Sequence, residues 1–499
     1  MAPVELAVLA ERLGGSLAPV GGAGPRITGV HLDSRRVSVG DLFAAVSGGI
    51  EESERYAREA VKRGASAVLA RRAFEVGVPV WVHEHARLAA GLAAALVAGE
   101  PSKRMFTCGI TGTNGKTTTA HLLYQLLVKA GRKPAVLGTA GHRLADGLAR
   151  VASHTTPDAP EIQRLLAAHR DMGGDALSME VSSHALDQER TAGIAFDVAI
   201  FTNLTRDHLD YHKDFESYTA AKERLFSGLS AKSTAVLNAD DPASERLGRA
   251  ARRAGARVLT YSTQSNGDLC ASDIRTDLGG TDFVLNGMGI SRTKIRVPLA
   301  GRYNVANALA AAASVLVSGA SPSIVMDGLA TASAAPGRLE PVSSNGRGFA
   351  VLVDYAHSED ALSNVCRVLK QSLAMRTSNT GRLIVVFGCG GDRDKGKRAP
   401  MGRVVSELAD LAIVTSDNPR SEDPERIIAE IVMGMKTDGA ERSTFIVESD
   451  RRRAIHAAVS HARVGDVVLI AGKGHETTQT IGTQVLEFDD RVVAGEALR

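Results

Sequence analysis

From Met105 onward, short apolar segments alternate along the chain with segments of helical periodicity. The segments "MFTCGI", "PAVLGT", "ALSMEV" and "VAIFTN" are typical of strands, and "AHLLYQLLVKAG" is typical of a connecting helix. Parallel strands need such long crossover connections, whereas antiparallel strands need only a tight turn. The alternation therefore predicts an α/β fold with a central parallel sheet covered by helices.

The last third of the chain repeats this alternation. The apolar segments "RLIVVFGCGG", "LAIVTSDNP" and "DVVLIAGKG" each end in a Gly-rich or polar loop. In open α/β sheets, ligands bind at the carboxyl ends of the strands, so these loops are predicted to share one binding edge. We expect a doubly wound, Rossmann-like domain here.

Length and loop composition predict three domains. The chain has 499 residues, and domains average roughly 150 residues. Pro and Ser interrupt an Ala-rich helix at "GEPSKR", and "ASAAPGRLEPV" is rich in small residues and Pro. We place the domains at 1–103, 104–334 and 335–499.

Charge and composition exclude several classes of protein. The formal net charge of +3 is too small to indicate nucleic acid or an acidic membrane as the main partner. No apolar segment reaches the about 20 uninterrupted residues of a membrane span, and "MAPVELAVLAERLGG" is typical of an amphipathic helix rather than an export signal. The four cysteines show no CxxC pairing, which favours a reducing compartment, and we expect the cytoplasm.

The segment "GITGTNGKTTTAHLLYQLL" places a Gly-rich turn between a strand and a helix. Backbone N–H groups of such a turn can approach phosphate oxygens, while Lys116 can neutralise phosphate charge and Thr117 can reach Mg²⁺. The usual phosphate-loop pattern has Gly where this chain has Ile110. An ordinary Gly-rich turn is the alternative, but the context favours a P-loop ATPase-like central domain that binds ATP or GTP.

Two further loops are expected to approach those phosphates. Glu180 in "MEVSSHAL" and His208 in "TNLTRDHLDYH" follow apolar strands and could hold Mg²⁺. For either residue alone, a surface or helix-capping role is the favoured interpretation. Lys222 in "YTAAKERLF" could be one solvated position of an amphipathic helix. Carbamylation by CO₂ would instead turn its ammonium into an anionic metal ligand.

Taken together, the motifs resemble those of the Mur ligase family over nearly the whole chain. The resemblance is carried, in order, by "GTNGKTT", "TTPD", "EVSSHAL", "DHLDYH", "AAKERLF", "NADD", "GRYNVANALAA", "PGRLE", "DYAH", "GCGGDRDKGKRAPMG", "SDNPR" and "GKGHE". It implies an ATP-dependent, amide-bond-forming ligase of peptidoglycan precursor synthesis, and hence a role in cell wall biogenesis, cell shape and cell division. It also implies an N-terminal UDP-sugar domain, a central ATP domain and a C-terminal amino-acid domain.

The resemblance also assigns residues to the nucleotide and the metal. It places ATP against Gly112, Thr113, Asn114, Gly115, Lys116, Thr117, Thr118, Asn307, Arg338, Asp354 and His357. It makes Lys116, Glu180, His208 and Lys222 catalytic, with two Mg²⁺ ions held by Thr117, Glu180, His208 and carbamylated Lys222.

For the acyl substrate, the resemblance points to UDP-N-acetylmuramoyl-L-alanyl-D-glutamate. Its binding residues would be Ser34, Thr155, Thr156, Ser182, Gln188 and Arg190. Hydroxyls and a guanidinium suit a diphosphate, a sugar and peptide carboxylates. Helix capping is the alternative role of each hydroxyl.

For the acceptor, the resemblance points to meso-2,6-diaminopimelate. Its binding residues would be Arg393, Asp417, Asn418, Pro419, Arg420, Gly472 and Glu476. Arg420 can pair with the distal carboxylate, and Asp417 and Glu476 can take the ammonium. L-lysine, which lacks that carboxylate, would leave Arg420 unpaired and remains the alternative acceptor.

Two other functions share features of this sequence. A folylpolyglutamate synthase shares the phosphate loop, but "SDNPR", "GKGHE" and the region 1–103 argue against it. A nucleotide-regulated binding protein or nucleic-acid motor is supported only by the basic pI. The segment "LFAAVSGGIEESERYAREA" departs from the family pattern on the uracil side of the UDP-sugar domain. We expect a monomer that binds no nucleic acid and does not insert into membranes.

Overall fold

The computed structural model describes residues 3–18, 24–46, 48–152, 154–264, 266–344, 346–374, 381–436 and 444–499. The α/β class predicted from the sequence is confirmed. Internal contacts divide the chain into one unit of Met1–Tyr261 with Ala310–Val325, and a second unit of Ser262–Leu309 with Met326–Arg499. The three domain boundaries stay a prediction.

In unit 1, the first hundred residues form a small sheet flanked by helices. The elements are β1 (Val4–Glu5), α1 (Leu6–Leu13), β2 (Ser16–Ala18), β3 (Arg26–Ile27), β4 (Gly29–His31), β5 (Asp41–Ala44), α2 (Ile50–Lys62), β6 (Ala67–Ala70), β7 (Val80–Val82) and α3 (Ala86–Val97). The strand order is β2-β7-β6-β5-β4, with all pairs parallel except β2 with β7. β1 pairs antiparallel with β3. Apolar clusters cover both faces of this sheet.

The rest of unit 1 is built on a larger sheet. Its elements are β8 (Phe106–Thr111), α4 (Lys116–Lys129), β9 (Pro134–Gly138), β10 (Gly141–Arg143), β11 (Ala149–Arg150), α5 (Ala159–Asp171), β12 (Ala176–Glu180), α6 (Ser183–Asp187), β13 (Val198–Phe201), α7 (Leu209–His212), α8 (Phe215–Ser227), β14 (Thr234–Asn238), α9 (Ala243–Arg253) and β15 (Arg257–Ser262). The strand order is β11-β10-β9-β12-β8-β13-β14-β15, and it is parallel from β9 to β15. β10 and β11 run antiparallel.

This strand order decides what meets at the phosphate loop. β8 lies between β12 and β13, so the loops after all three strands emerge side by side at one edge of the sheet. Strands buried on both faces are near-continuous apolar runs in parallel sheets. β12 and β13 are buried along their whole length, which explains their uninterrupted hydrophobic sequence.

Unit 2 contains a meander and a second parallel sheet. Its elements, including two helices shared with unit 1, are β16 (Leu269–Asp277), β17 (Gly280–Gly287), β18 (Ile290–Val297), α10 (Arg302–Val317), α11 (Pro322–Ala330), β19 (Glu340–Val342), β20 (Ala350–Asp354), α12 (Glu359–Ala374), β21 (Leu383–Phe387), α13 (Arg398–Leu408), β22 (Leu411–Val414), α14 (Pro424–Met435), β23 (Thr444–Val447), α15 (Arg451–His461), β24 (Val467–Ala471), β25 (Thr478–Ile481), β26 (Gln484–Glu487) and α16 (Asp490–Ala497). β16, β17 and β18 pair antiparallel. The second sheet has the order β19-β20-β24-β21-β22-β23, parallel except for β19.

This sheet is the doubly wound one that the sequence predicts, with apolar clusters on both faces. β22 and β24 flank β21, so the segments after these strands, "GCGGDRDKGKR", "SDNPR" and "GKGHE", lie at one edge.

None of the helices in the described ranges combines the length and apolar composition that crossing a bilayer requires. The cysteines are all free thiols.

Candidate active site

The Gly-rich turn lies between β8 and α4, as the sequence predicts. Lys116 begins the helix, and its Nζ donates to the carbonyls of Gly112 (2.9 Å) and Thr113 (2.7 Å). The departure at Ile110 has a simple reason, because this residue is the fifth of β8 and is fully buried. The flexible part of the turn therefore begins at Gly112.

Residues that follow β13 hold this loop in place. Thr113 N donates to Asn203 O (2.8 Å), and Asn114 N donates to the Asn203 side chain (2.9 Å). The Thr202 hydroxyl donates to Asn114 O (2.6 Å). A Cβ at Gly112 would overlap that hydroxyl, so only glycine lets the two segments approach so closely. The loop is preorganised by the neighbouring strand end.

Glu180 ends β12 and lies next to the start of α4. Its carboxylate is 1% exposed and accepts hydrogen bonds from the hydroxyls of Thr117 (3.0 Å) and Thr139 (3.1 Å) and from Thr139 N (2.8 Å). In the described residues no cation lies within 4 Å of it. A buried carboxylate without a positive partner is costly unless a cation binds there.

Lys222 lies on α8 and is 2% exposed, so the solvated-face alternative is wrong. Its Nζ donates to Gly112 O (2.9 Å) and lies 4.4 Å from the centre of the Tyr218 ring. Burial, reinforced by the nearby charge of Lys116, lowers the pKa of Lys222 well below its ordinary value. This shift favours the neutral amine over the ammonium.

His208 precedes α7 and has a left-handed backbone (φ 53°). Its ring packs edge-on against His184, with the centres 4.9 Å apart. Desolvation lowers the pKa of His208 to about 4, and the charges of Lys116, His184 and Lys222 act in the same direction. The charge of Asp207 opposes this shift. The imidazole is neutral at pH 7, which is the form that can bind a metal.

The donor chemistry around the loop fits Mg²⁺, which prefers oxygen ligands. The Thr117 hydroxyl and the Glu180 carboxylate are adjacent, and Glu180 lacks a cationic partner among the described residues. No group of three or more His, Cys, Asp or Glu side chains gathers in the described ranges. The predicted ligand set does not need one, because it also uses a hydroxyl and a carbamylated lysine.

Most residues predicted for the acyl substrate lie near Glu180. Thr156 donates to Glu180 O (2.9 Å) and accepts from Ser182 N (3.1 Å), while the hydroxyls of Thr155 and Thr139 lie 3.0 Å apart. Ser182 caps α6 by accepting from Ala185 N (3.2 Å), and this bond uses the hydroxyl oxygen as an acceptor and not the O–H as a donor.

Two further predicted residues form a pair on the same side. Arg190 donates to Thr156 O (2.9 Å) and to the side-chain oxygen of Gln188 (2.8 Å). Ser34 lies in a short 3-10 helix and donates to Glu59 (3.2 Å). A small cavity of about 50 Å³ separates its segment from the TTPD segment, with Arg36 and Glu161 among its lining residues.

The nucleotide residues predicted after position 300 lie in unit 2. Asn307 is buried and donates to Asn304 (3.2 Å). The Asp354 carboxylate accepts from Leu339 N (2.7 Å) and Ala356 N (2.8 Å), and burial raises its pKa despite the nearby Arg338. The Arg338 guanidinium lies 4.8 Å from the centre of the Tyr355 ring. His357 is exposed, and its Nδ1 lies 2.7 Å from Tyr355 O. Arg338, Asp354 and His357 therefore form one cluster around "DYAH".

The loops predicted to bind the acceptor meet at the edge of the second sheet. Asn418 Nδ2 donates to Glu476 Oε2 (2.8 Å), which joins "SDNPR" to "GKGHE". Arg420 Nη1 donates to Gly391 O (2.7 Å), and Pro419 O accepts from Glu422 N (3.1 Å). Arg393 lies on the adjacent loop and is exposed.

Two details of this cluster concern its backbone. Gly472 has a φ of 119°, and a Cβ there would lie 2.6 Å from the carboxylate of Asp417. Glycine therefore makes room for the Asp417 side chain. Arg420 also has a left-handed backbone (φ 51°), and its N–H donates to Thr480 O (3.1 Å).

Sequence reasoning missed several residues of both clusters. Thr139 follows β9 directly, so the strand-end rule could have found it. Tyr218 lies one helical turn before Lys222 on α8, at the i, i+4 spacing of side chains that share a helix face. Lys473 belongs to the quoted motif "GKGHE" and is fully buried, but nothing in its residue type signals this burial.

The parallel sheet, the phosphate loop and the carboxylate beside it define an α/β protein of the P-loop class. Comparisons with known proteins narrow this class. Residues 110–315 match the model of the Mur ligase middle domain, and residues 337–474 match that of the Mur ligase, glutamate ligase domain.

Individual relatives agree with these models. A UDP-N-acetylmuramoyl-L-alanyl-D-glutamate--2,6-diaminopimelate ligase from Syntrophomonas wolfei is 44% identical over 477 residues, covering 95% of both chains. One of the same name from Geobacillus thermodenitrificans is 42% identical over 506 residues, covering 99% of both. A solved structure of a ligase of that name is 34% identical, with a TM-score of 0.71 over 100% of this chain and 99% of the other. The chain belongs to the Mur ligase family.

Proposed function

We propose that this enzyme is an ATP-dependent ligase that adds meso-2,6-diaminopimelate to the D-glutamyl γ-carboxylate of UDP-N-acetylmuramoyl-L-alanyl-D-glutamate. The observation that carries the acceptor assignment is that "SDNPR" contacts both neighbouring loops, since Asn418 binds Glu476 and Arg420 binds Gly391 O. The distal end of the acceptor presents both a carboxylate and an ammonium. A guanidinium and a carboxylate in one cluster match both groups.

ATP binding is supported by the phosphate loop and by the family. Lys116 Nζ is held by loop carbonyls, at the end of a helix whose first N–H groups favour an anion. We propose that this lysine neutralises phosphate charge as the γ-phosphoryl group moves. The further contacts to ATP are assigned to Asn307, Arg338, Asp354 and His357.

We propose that Thr117, Glu180 and His208, with carbamylated Lys222, hold two Mg²⁺ ions. Bound Mg²⁺ would stabilise negative charge on the transferring phosphoryl group. The neutral amine of Lys222 is the form that attacks CO₂, and its burial beside Gly112 keeps it close to the phosphate loop. The resulting carbamate would be an anion among the positive charges of this site.

The reaction requires activation because a carboxylate is a poor acyl donor. The γ-carboxylate of the substrate attacks the γ-phosphorus of ATP, which gives an acyl phosphate and ADP. The neutral amine of the acceptor then attacks the acyl carbon, and phosphate leaves the tetrahedral intermediate as the amide forms. We assign the UDP-linked substrate to Ser34, Thr155, Thr156, Ser182, Gln188 and Arg190.

The acceptor L-lysine is the second candidate for the same chemistry. It lacks the distal carboxylate and would leave Arg420 without its ion partner, which disfavours it. The full-length identity to named diaminopimelate ligases also disfavours the folylpolyglutamate synthase alternative. We further propose a cytoplasmic, monomeric enzyme that acts on small molecules.

The test is incubation of the purified protein with ATP, Mg²⁺ and the UDP-linked dipeptide, with either meso-diaminopimelate or L-lysine. The proposal predicts ADP release and a product mass that depend on meso-diaminopimelate. Product with L-lysine alone would keep the ligase and overturn the acceptor. ADP release that needs no amine would overturn the ligase reaction itself, and stimulation by RNA or DNA would favour a nucleic-acid motor.

A further inference from the structure

Lys473 belongs to "GKGHE", contacts Asn418 of "SDNPR" and has no part in the chemistry described above. It follows β24 and is 0% exposed. Its Nζ donates to Asn418 Oδ1 (3.2 Å), Glu476 Oε2 (3.3 Å) and Thr478 O (2.5 Å). An ammonium has three N–H donors, so these contacts use all of them. Any effect of Lys473 on the acceptor must therefore act through its neighbours.

The first neighbour is the amide of Asn418, which Lys473 holds in one orientation. Asn418 Oδ1 accepts from Lys473 Nζ and from Thr480 N (3.0 Å), whereas Nδ2 donates to Glu476 (2.8 Å). A flipped amide would place its NH₂ group against an ammonium and a backbone N–H, which can only donate. Lys473 thus fixes the direction in which Asn418 donates.

The second neighbour is the carboxylate of Glu476, which is anchored through one oxygen. Oε2 accepts from both Asn418 and Lys473, while Oε1 has no hydrogen-bond partner in the part of the chain that the structure describes. The side chain is one-third exposed. An oxygen in this position is available to an ammonium of the acceptor, and its partner oxygen sets its orientation.

Lys473 also balances the charge of the cluster. The Lys473 ammonium lies 3.3 Å from the Glu476 carboxylate, and its removal would make the charge around Glu476 more negative. At neutral pH meso-diaminopimelate carries no net charge, whereas L-lysine carries one positive charge. An excess of negative charge would favour L-lysine, so Lys473 acts against it.

We propose that Lys473 is a positioning and specificity-determining residue, which orients Asn418 and Glu476 toward the acceptor and disfavours amines that lack a distal carboxylate. This inference rests on the proposed diaminopimelate ligase function. It concerns which acceptor is chosen rather than whether the carboxylate is activated.

The test compares the wild-type enzyme with Lys473→Met. The methionine side chain is similar in length to that of lysine but carries no charge, and the position is buried. We expect the KM for meso-diaminopimelate to rise about 10- to 100-fold, which is the loss typical of hydrogen bonds to a charged group. The KM for ATP should stay unchanged. We also expect weaker discrimination against L-lysine. The ratio of the inhibition constant of L-lysine to the KM for meso-diaminopimelate should therefore fall. Lys370→Met is the matched control, because Lys370 makes an exposed ion pair with Asp410 (2.7 Å) on the same domain.

A second variant, Lys473→Gln, keeps N–H donors but removes the charge. It should lower discrimination against L-lysine while raising the KM for meso-diaminopimelate less than Lys473→Met does. Unchanged discrimination in a folded variant would overturn the proposal, and so would failure of both variants to fold. Absence of wild-type turnover with meso-diaminopimelate would instead overturn the proposed function, so the two failures are distinguishable.

Discussion

In the described part of the chain, each unit buries one lysine, and the two lysines have opposite surroundings. Lys222 in unit 1 contacts a carbonyl and an aromatic ring and lies near another cation, with no carboxylate within 4 Å among the described residues. Lys473 in unit 2 contacts a carboxylate, an amide oxygen and a carbonyl. The difference lies in the partners and not in the degree of burial.

This comparison shows that burial alone does not decide the chemistry of a lysine. Desolvation without a counter-charge favours the neutral amine, which is a nucleophile and can take up CO₂. When a carboxylate lies beside a buried ammonium, its attraction instead offsets the loss of hydration of the cation. The first arrangement suits a site of covalent modification, and the second suits a fixed element of a binding site.

The largest effect on activity is expected from removing Lys222, the buried lysine without a carboxylate partner among the described residues. Lys222→Ala should lower kcat by at least about 10²–10³-fold, because the proposed metal ligand on the phosphate site is lost. Lys222→Glu should retain a little activity, since it restores an anionic oxygen pair. Steady-state ADP release measures both. Lys232→Ala, at an exposed position, is the control, and full activity of Lys222→Ala would contradict the proposed role.

The next effect concerns Arg420, the cation proposed to bind the distal carboxylate of the acceptor. Arg420→Ala should raise the KM for meso-diaminopimelate about 10- to 100-fold, because a bidentate ion pair to the distal carboxylate is lost. The kinetics with L-lysine should change much less. Arg426→Ala, an exposed position on α14, serves as the control. An equal loss with both amines would show that Arg420 does not recognise the distal carboxylate.

A smaller and reversible effect should follow from removing CO₂. Degassed, bicarbonate-free enzyme should lose part of its activity, because the carbamate on Lys222 is in equilibrium with dissolved CO₂. Added bicarbonate should restore it. The activity of Lys222→Glu should not respond to bicarbonate, and an equal response of that variant would assign the effect to another group.

Arg451 is a third buried cation, and its ion pair with Asp490 tests the effect of a buried partner on the free energy of unfolding. Arg451 and Asp490 are both 0% exposed and 2.7 Å apart, and Arg451 also donates to Ala471 O (3.0 Å) just before Gly472. Asp490→Asn should lower the free energy of unfolding by about 3–5 kcal/mol, because a buried charge loses its partner.

The same two helices supply the control for this prediction. Arg452 and Glu496 form an exposed ion pair between α15 and α16, and Glu496→Gln should cost less than about 1 kcal/mol. Denaturant unfolding measures both variants. Similar losses in the two would show that burial of the Arg451 pair adds nothing.

The sequence predicted the parallel sheets and the loops at their edges because strand-end motifs follow from simple periodicity. It did not predict the β16–β18 meander, although Gly279 and Gly289 mark its turns. The alternation of strands and helices predicts parallel strands throughout the central region, whereas β10 and β11 are antiparallel. Short antiparallel strands leave a weaker pattern than buried parallel ones.

The sequence could not predict the two buried lysines, for a physical reason. A lysine on an amphipathic helix is ordinarily solvated, whereas the buried Lys222 reaches the carbonyl of Gly112 in the phosphate loop, 110 residues earlier in the sequence. Lys473 is buried because Asn418 and Thr478, which are distant from each other in sequence, meet around it. Such contacts depend on the tertiary fold and leave no local pattern.

The most direct test of this account is ¹³C NMR of the protein equilibrated with ¹³CO₂. The wild-type protein, Lys222→Met and Lys473→Met would be compared under identical conditions. The account predicts a carbamate resonance in the wild-type protein that persists in Lys473→Met and disappears in Lys222→Met. A resonance that survives in Lys222→Met, or that depends on Lys473, would contradict the contrast between the unpaired and the paired lysine.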